Sequence, residues 1–181
     1  KKKTLEVTIE EMRNFSLSYI EKYAPSKQQL RTYLLKKYLK IGRSDVSKSN
    51  VADLIDIILE DLEKAKFIND KFYSESKAKS LIQRGSSINK IRNYLFNKGI
   101  GDKYIKNTID KIKTNNEDQD FFSAIKLCKK KRIGPSREEN NRELFYKKDI
   151  GILARSGFDF EVSKRVMDLD KEEYLKIINL L

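Results

Sequence analysis

The chain has 181 residues, 39% of them hydrophobic, which is ample for one domain or a short array without being membrane-like. It carries 39 Lys and Arg against 27 Asp and Glu, a net charge of +12 that favours a polyanionic partner, either nucleic acid or an acidic protein surface. With no histidine and one cysteine, Cys128, it offers no zinc or Ser-His-Asp chemistry and no internal disulfide.

No apolar run approaches the roughly 18 residues of a spanning helix, and no apolar stretch of signal-peptide type follows Lys1-Lys2-Lys3, so a cytoplasmic chain is expected. It begins at lysine rather than methionine, which leaves room for a preceding segment. Thr8 and Glu11 have capping-box spacing, and Met12, Phe15, Tyr19 and Tyr23 follow at helical intervals. Pro25 ends that helix. Ser26 and Gln29 form a second capping pair ahead of Leu30, Tyr33 and Leu34. Lys40–Ser49 reads as a loop. From Asn50 a strong stripe of Val51, Leu54, Ile55, Ile58 and Leu62 is set against Asp53, Asp56, Glu60, Asp61 and Glu63, a solvated acidic face or one that attracts a basic partner. Phe67-Ile68-Asn69-Asp70-Lys71-Phe72-Tyr73 is a junction that opens a helix running to about Gln83.

The stretch from Arg84 to Ile100 is a complete helix with its own signals. Ser86 or Ser87 caps it, Ile88, Ile91 and Leu95 share one face, and Gly99 stops it in a left-handed position that costs glycine almost nothing. Asp102 opens the next helix, with Ile105, Ile109 and Ile112 inward. The pattern repeats on both sides. Ser26, Leu30, Tyr33-Leu34 and Lys37 precede Ser87, Ile91, Tyr94-Leu95 and Lys98 by 61 residues, and Ile152-Leu153 through Phe158 follow Tyr94-Leu95 through Ile100 by 58. Repetition at a near-constant period signals stacked supersecondary units.

Lys113–Asn116 is the next polar break, after which Asp118 or Asp120 starts a helix carrying Phe121, Phe122, Ile125 and Leu127. Cys128, three residues beyond Ile125, reads as a small core residue. Lys129-Lys130-Lys131-Arg132 then gives the densest positive charge in the chain, before Ile133-Gly134-Pro135. Ser136 with Glu139 suggests another capping box, opening a helix that carries Arg137, Arg142, Lys147 and Lys148 towards Arg155. From Lys126 to Lys148 nine Lys or Arg face three Glu, so half of the net charge lies there. Asp159 or Ser163 begins the closing helix, and Asp170 with Glu173 caps a last one.

No segment alternates long enough to argue for a strand, so the expected fold is all-α, an elongated array of three tandem three-helix repeats at 1–66, 67–115 and 116–170 with a helical extension at 171–181. With these residues in view the chain resembles the RecX family of bacterial modulators of the recombinase RecA. The resemblance spans nearly all of residues 10–170. It rests on the Phe67–Tyr73 junction, on Arg84-Gly85 through Gly99-Ile100, on Cys128 through Pro135, and on Leu153-Ala154-Arg155-Ser156-Gly157-Phe158. The chain departs from the family pattern at Phe67, where a glycine is usual, and at Ser156, where an arginine is usual.

No metal or acid–base constellation and no Gly-rich phosphate loop argues for an enzyme or a cofactor, the capped end helices make a monomer the expectation, and the resemblance implies a regulator. It would bind RecA or RecA–DNA filaments, damp ATP hydrolysis and strand exchange in recombinational repair and the SOS response, and touch single- or double-stranded DNA weakly and without sequence preference. Candidate contacts are Lys129, Lys130, Lys131, Arg132, Arg137, Arg142, Lys147, Lys148 and Arg155, with Arg84, Lys90, Arg92 and Lys98 in the middle repeat. The blander meaning of the basic run is a solvated helix end whose cations complement the dipole. The alternative function is a free-standing basic nucleic-acid-binding helical module that presents Lys90, Arg92, Asn93 and Asn97.

Overall fold

Helix start signals decide where this chain turns. In a computed structural model, which describes residues 7–39 and 48–181, Thr8 Oγ1 accepts from the Glu11 N–H and α1 runs Ile9–Tyr23. Ser26 and Gln29 form the reciprocal capping box of α2, Lys27–Tyr38. Lys1–Lys3 and residues 40–47 of the expected loop lie outside the described residues; α3, Lys48–Lys64, begins two residues before Asn50. Asn69 Oδ1 accepts from the Phe72 N–H at the start of α4, Asp70–Gln83.

Ser87 caps α5, Ile88–Asn97, through the Lys90 N–H, and Gly99 follows at φ +72°. Helix α6, Asp102–Asn115, continues through most of the expected polar break. Then come α7, Gln119–Lys131, a 3-10 turn at Gly134–Ser136, and α8, Glu139–Arg155. Asp159 caps α9, Phe160–Met167, and the Asp170–Glu173 box opens α10, Lys171–Leu180. Among the described residues there is no strand.

One helix start holds without a side-chain cap, and one capping expectation fails. Asp118 occupies the N-cap position of α7, yet its carboxylate turns to the Arg165 guanidinium at 2.9 Å. The Ser136–Glu139 box does not form: the Ser136 N–H is held by the Ile133 carbonyl inside the 3-10 turn, and its hydroxyl lies against Tyr174.

By how its residues pack, the chain divides into two units. The first takes the residues through Ser74 with Phe96–Tyr104, and the second takes Glu75–Leu95 with Ile105–Leu181. The first is centred on Met12, Leu30, Leu34, Tyr38, Ile55 and Leu62, and the second on Ile125, Cys128, Leu153, Val166, Met167 and Tyr174. Burial of such side chains, at about 1.5–3 kcal/mol each, is the main favourable term in each.

One joint occurs twice, once in each unit. In the first, the Ser26 hydroxyl donates to the Lys98 carbonyl at 2.6 Å and Asp70 Oδ1 accepts from the Lys27 N–H at 2.9 Å. In the second, the Ser87 hydroxyl donates to the Ser156 carbonyl at 2.8 Å and Asp120 Oδ1 accepts from the Ile88 N–H at 2.7 Å. The glycine after each receiving carbonyl, Gly99 or Gly157, has positive φ, and a Cβ there would overlap Gln28 or Ser87 respectively. The end of α5 thus abuts the start of α2, and the end of α8 abuts the start of α5. In both cases a carboxylate satisfies a first-turn N–H that the helix itself cannot.

Candidate interaction surface

The basic run sits where helix physics favours it. Lys129, Lys130 and Lys131 form the exposed last turn of α7, and their charge complements the partial negative charge of a helix C-terminus. Arg132 closes that turn in the left-handed region, at φ +54°, with its N–H on the Lys129 carbonyl and the Ile133 N–H on the Cys128 carbonyl. All four side chains are exposed.

Arg137 and Arg142 are placed differently from these four. The Arg137 guanidinium makes a two-pronged pair with the fully buried Asp149 (Nε–Oδ2 2.6 Å, Nη2–Oδ1 2.9 Å) and lies 4.4 Å over the Phe145 ring. The Gly134 N–H donates to the same carboxylate at 2.8 Å. Burial alone would raise the Asp149 carboxyl, but Arg137, the Gly134 amide and nearby Lys148 together hold it below the usual carboxylate range. Arg142 donates to the Met167 and Leu169 carbonyls, closing the end of α9, and pairs loosely with Glu139. Both arginines therefore pin α8 to its neighbours, which leaves less of either for an outside partner.

Lys147, Lys148 and Arg155 are exposed on α8. Arg155 folds back along that helix, with its guanidinium 3.3 Å from where a Gly151 Cβ would stand. Arg84, Lys90 and Arg92 are exposed, and Arg92 approaches Asn89 Oδ1 at 3.4 Å. Lys98 is half-buried, its carbonyl taken by Ser26. On the acidic α3, Asp56 and Glu63 pair with Arg31 and Lys27 of α2, so part of that face is already used within the chain.

Cys128 is fully buried, and burial, with the Asp149 charge behind it, pushes its thiol up to about 12. It is a packing residue and not a nucleophile. Among the described residues no group of three His, Cys, Asp or Glu is arranged to hold a metal ion, and no helix is long and apolar enough to cross a membrane.

Asp149 lies outside the sequence candidates, although the repeat marks it. The 58-residue offset that aligns Leu95 with Leu153 also aligns Ile91 with Asp149, which places a charge at a core position. Buried charges persist only when paired, so Arg137 or another cation had to be its partner.

These features define an all-helical protein that carries a cluster of exposed cations at the end of α7. No family model matches the chain. A protein of Myxococcus xanthus named regulatory protein RecX is 29% identical over 159 residues, covering 87% of this chain and 84% of that one. Its namesake in Agrobacterium fabrum is 24% identical over 92% of this chain and 87% of its own. A crystal structure of a regulatory protein RecX superposes with a TM-score of 0.60 at 20% identity, over 89% of this chain and 74% of that one, and so shares its fold. Over most of its length the chain is thus similar to proteins named regulatory protein RecX.

Proposed function

We propose that this protein regulates the recombinase RecA by binding it, or its filaments on DNA, and damping ATP hydrolysis and strand exchange in recombinational repair and the SOS response. The observation that carries the reading is the likeness, over most of the chain, to proteins named regulatory protein RecX. The exposed Lys129–Arg132 cluster supports it with a surface suited to an anionic partner. Lys147, Lys148 and Arg155 extend the contact, and Arg84, Lys90, Arg92 and Lys98 supply a weaker one. DNA is touched through its phosphates, weakly and without sequence preference. The protein acts as a cytoplasmic monomer in which three-helix repeats, at 1–66, 67–115 and 116–170, precede a helical extension at 171–181. Several modest contacts held at fixed spacing give avidity through high effective concentration.

The test is the single-stranded-DNA-dependent ATPase of the cognate RecA, with this protein titrated below RecA's concentration at two salt concentrations. Loss of ATPase at substoichiometric ratios is expected, with a smaller effect at high salt. The double variant Lys130→Glu/Arg132→Glu should inhibit less while keeping its helical circular dichroism. Inhibition that appears only when the protein is abundant enough to coat the DNA would replace filament regulation by competition for DNA. Unaltered inhibition by the double variant would remove the basic run from the contact.

A second reading draws on the exposure of Lys90, Arg92, Asn93 and Asn97 on α5, which suits a helix laid in a nucleic-acid groove. It requires tight binding to one duplex sequence over others, which gel-shift competition measures directly.

A further inference from the structure

Gly151 stands in the middle of α8 with no internal reason to be glycine. Gly85, Gly134 and Gly157, also in the second unit, have positive φ, and a Cβ on them would come to 2.9, 2.6 and 2.6 Å from Ser123, Met167 and Ser87 respectively. Gly151 has neither feature. The three atoms nearest to its Cβ position, 3.3 to 3.9 Å away, all belong to the guanidinium of Arg155, the movable end of a long side chain. Glycine inside a helix is less favourable than alanine, because it loses more freedom on folding. What it allows on a helical backbone is close approach from outside.

The residues in line with Gly151 complete a surface. With 3.6 residues to a turn, Leu144, Lys147, Lys148 and Arg155 lie within about 60° of it around the axis of α8. All four are exposed, Leu144 at 76%. No carboxylate of α8 shares this sector: Glu139 and Glu143 lie to one side of it, and Asp149 is buried on the opposite face. From Leu144 to Arg155 the patch runs ~17 Å, about three turns.

An exposed leucine among cations decides between occupants. Phosphates would pair with the lysines and leave Leu144 in water, whereas an amphipathic helix with acidic flanks meets both. How closely two helices pack depends on the side chains where they cross, so a glycine at the crossing brings a second helix nearest.

We propose that this face of α8 docks an acidic amphipathic helix of a protein partner. Gly151 lies under the partner's backbone, Leu144 enters its apolar stripe, and Lys147, Lys148 and Arg155 meet its carboxylates. This rests on the proposed regulation of RecA and adds the kind of element that is gripped.

The test measures binding of the cognate RecA, without DNA, to the full chain by biolayer interferometry. Gly151→Leu should weaken binding about tenfold while the urea midpoint holds or rises, because leucine is the better helix former. Leu144→Ser changes an exposed side chain, leaves the core alone and should weaken binding several-fold. Asn107→Leu, an enlargement at an exposed position on α6, should change little. Lys147→Gln/Lys148→Gln should weaken binding and flatten its salt dependence. Hydrogen exchange on RecA should show an acidic helix protected by the parent chain and released with Gly151→Leu. Protection confined to a loop or a basic segment would overturn the occupant. Parent-like affinity of both Gly151→Leu and Leu144→Ser would overturn the face and leave the regulator reading standing, whereas no RecA binding by the parent would overturn both. An equal effect of Gly151→Leu on binding of an oligothymidylate would assign the face to nucleic acid and overturn the proposal too.

Discussion

At the scale of single residues, Asp149 is the sharpest case. Its carboxylate is buried and is stable as an anion only because Arg137 and the Gly134 N–H face it. Its folded pKa is depressed, so its contribution to stability is present above the ordinary carboxylate value of about 3.9 and is lost as pH falls through the lower folded value. Asp149→Ala strands the guanidinium and leaves the Gly134 amide unmet, and should cost about 3–5 kcal/mol in urea unfolding near neutral pH. Below pH about 4 the gap between parent and variant should narrow. An unfolding midpoint unmoved by the substitution would show that solvent already satisfies the pair. Cys128, three residues after Ile125, is legible from spacing as a core residue because a helix face determines it. Asp149 is legible only against the repeat, since nothing within its own helix marks it as paired.

At the scale of elements, the twice-used joint explains both what the sequence revealed of the helix ends and what it hid. Ser26, Ser87, Gly99, Asp159 and Asp170 act locally, within a few residues of the ends they cap or stop, so the local pattern is sufficient to place them. Asp120 acts on Ile88, 32 residues away, and no window of sequence joins them. The same joint carries a cost. Burial raises the Asp70 and Asp120 carboxyls, against the amide each accepts from, so each favours folding most when protonated and loses that contribution as pH rises through its raised folded value.

A substitution pair separates the two effects. Asp120→Asn keeps an acceptor for the Ile88 N–H and removes the buried charge, so at neutral pH it should be neutral or stabilising. Asp120→Ala removes the acceptor and should cost about 0.5–2 kcal/mol, as for loss of an N-cap. Equal destabilisation by both, measured by urea titration, would mean that the charge itself holds the joint.

At the scale of the whole molecule, the repeat period and the packing divide the chain differently, and the joints are the reason. Sequence periodicity places a boundary near residue 66, where one three-helix pattern ends. In the structure the amide of Lys27 is held by Asp70, and Ser26 is tied to Lys98, so the start of α4 and the end of α5 pack with the first unit. Stability in arrays is close to a sum of local and nearest-neighbour terms, so each unit should respond to damage in its own core more than to damage in the other. Tyr174 of α10, 4% exposed, closes the second core beside Ser136 and Cys128. Tyr174→Ala should remove about 3 kcal/mol there, in the range of other large aromatic truncations. In native-state hydrogen exchange, amides of α7 and α9 should then lose protection by about two orders of magnitude, the equivalent of that energy, while those of α2 and α3 keep most of theirs. Equal loss in both units would show that the chain unfolds as one cooperative body.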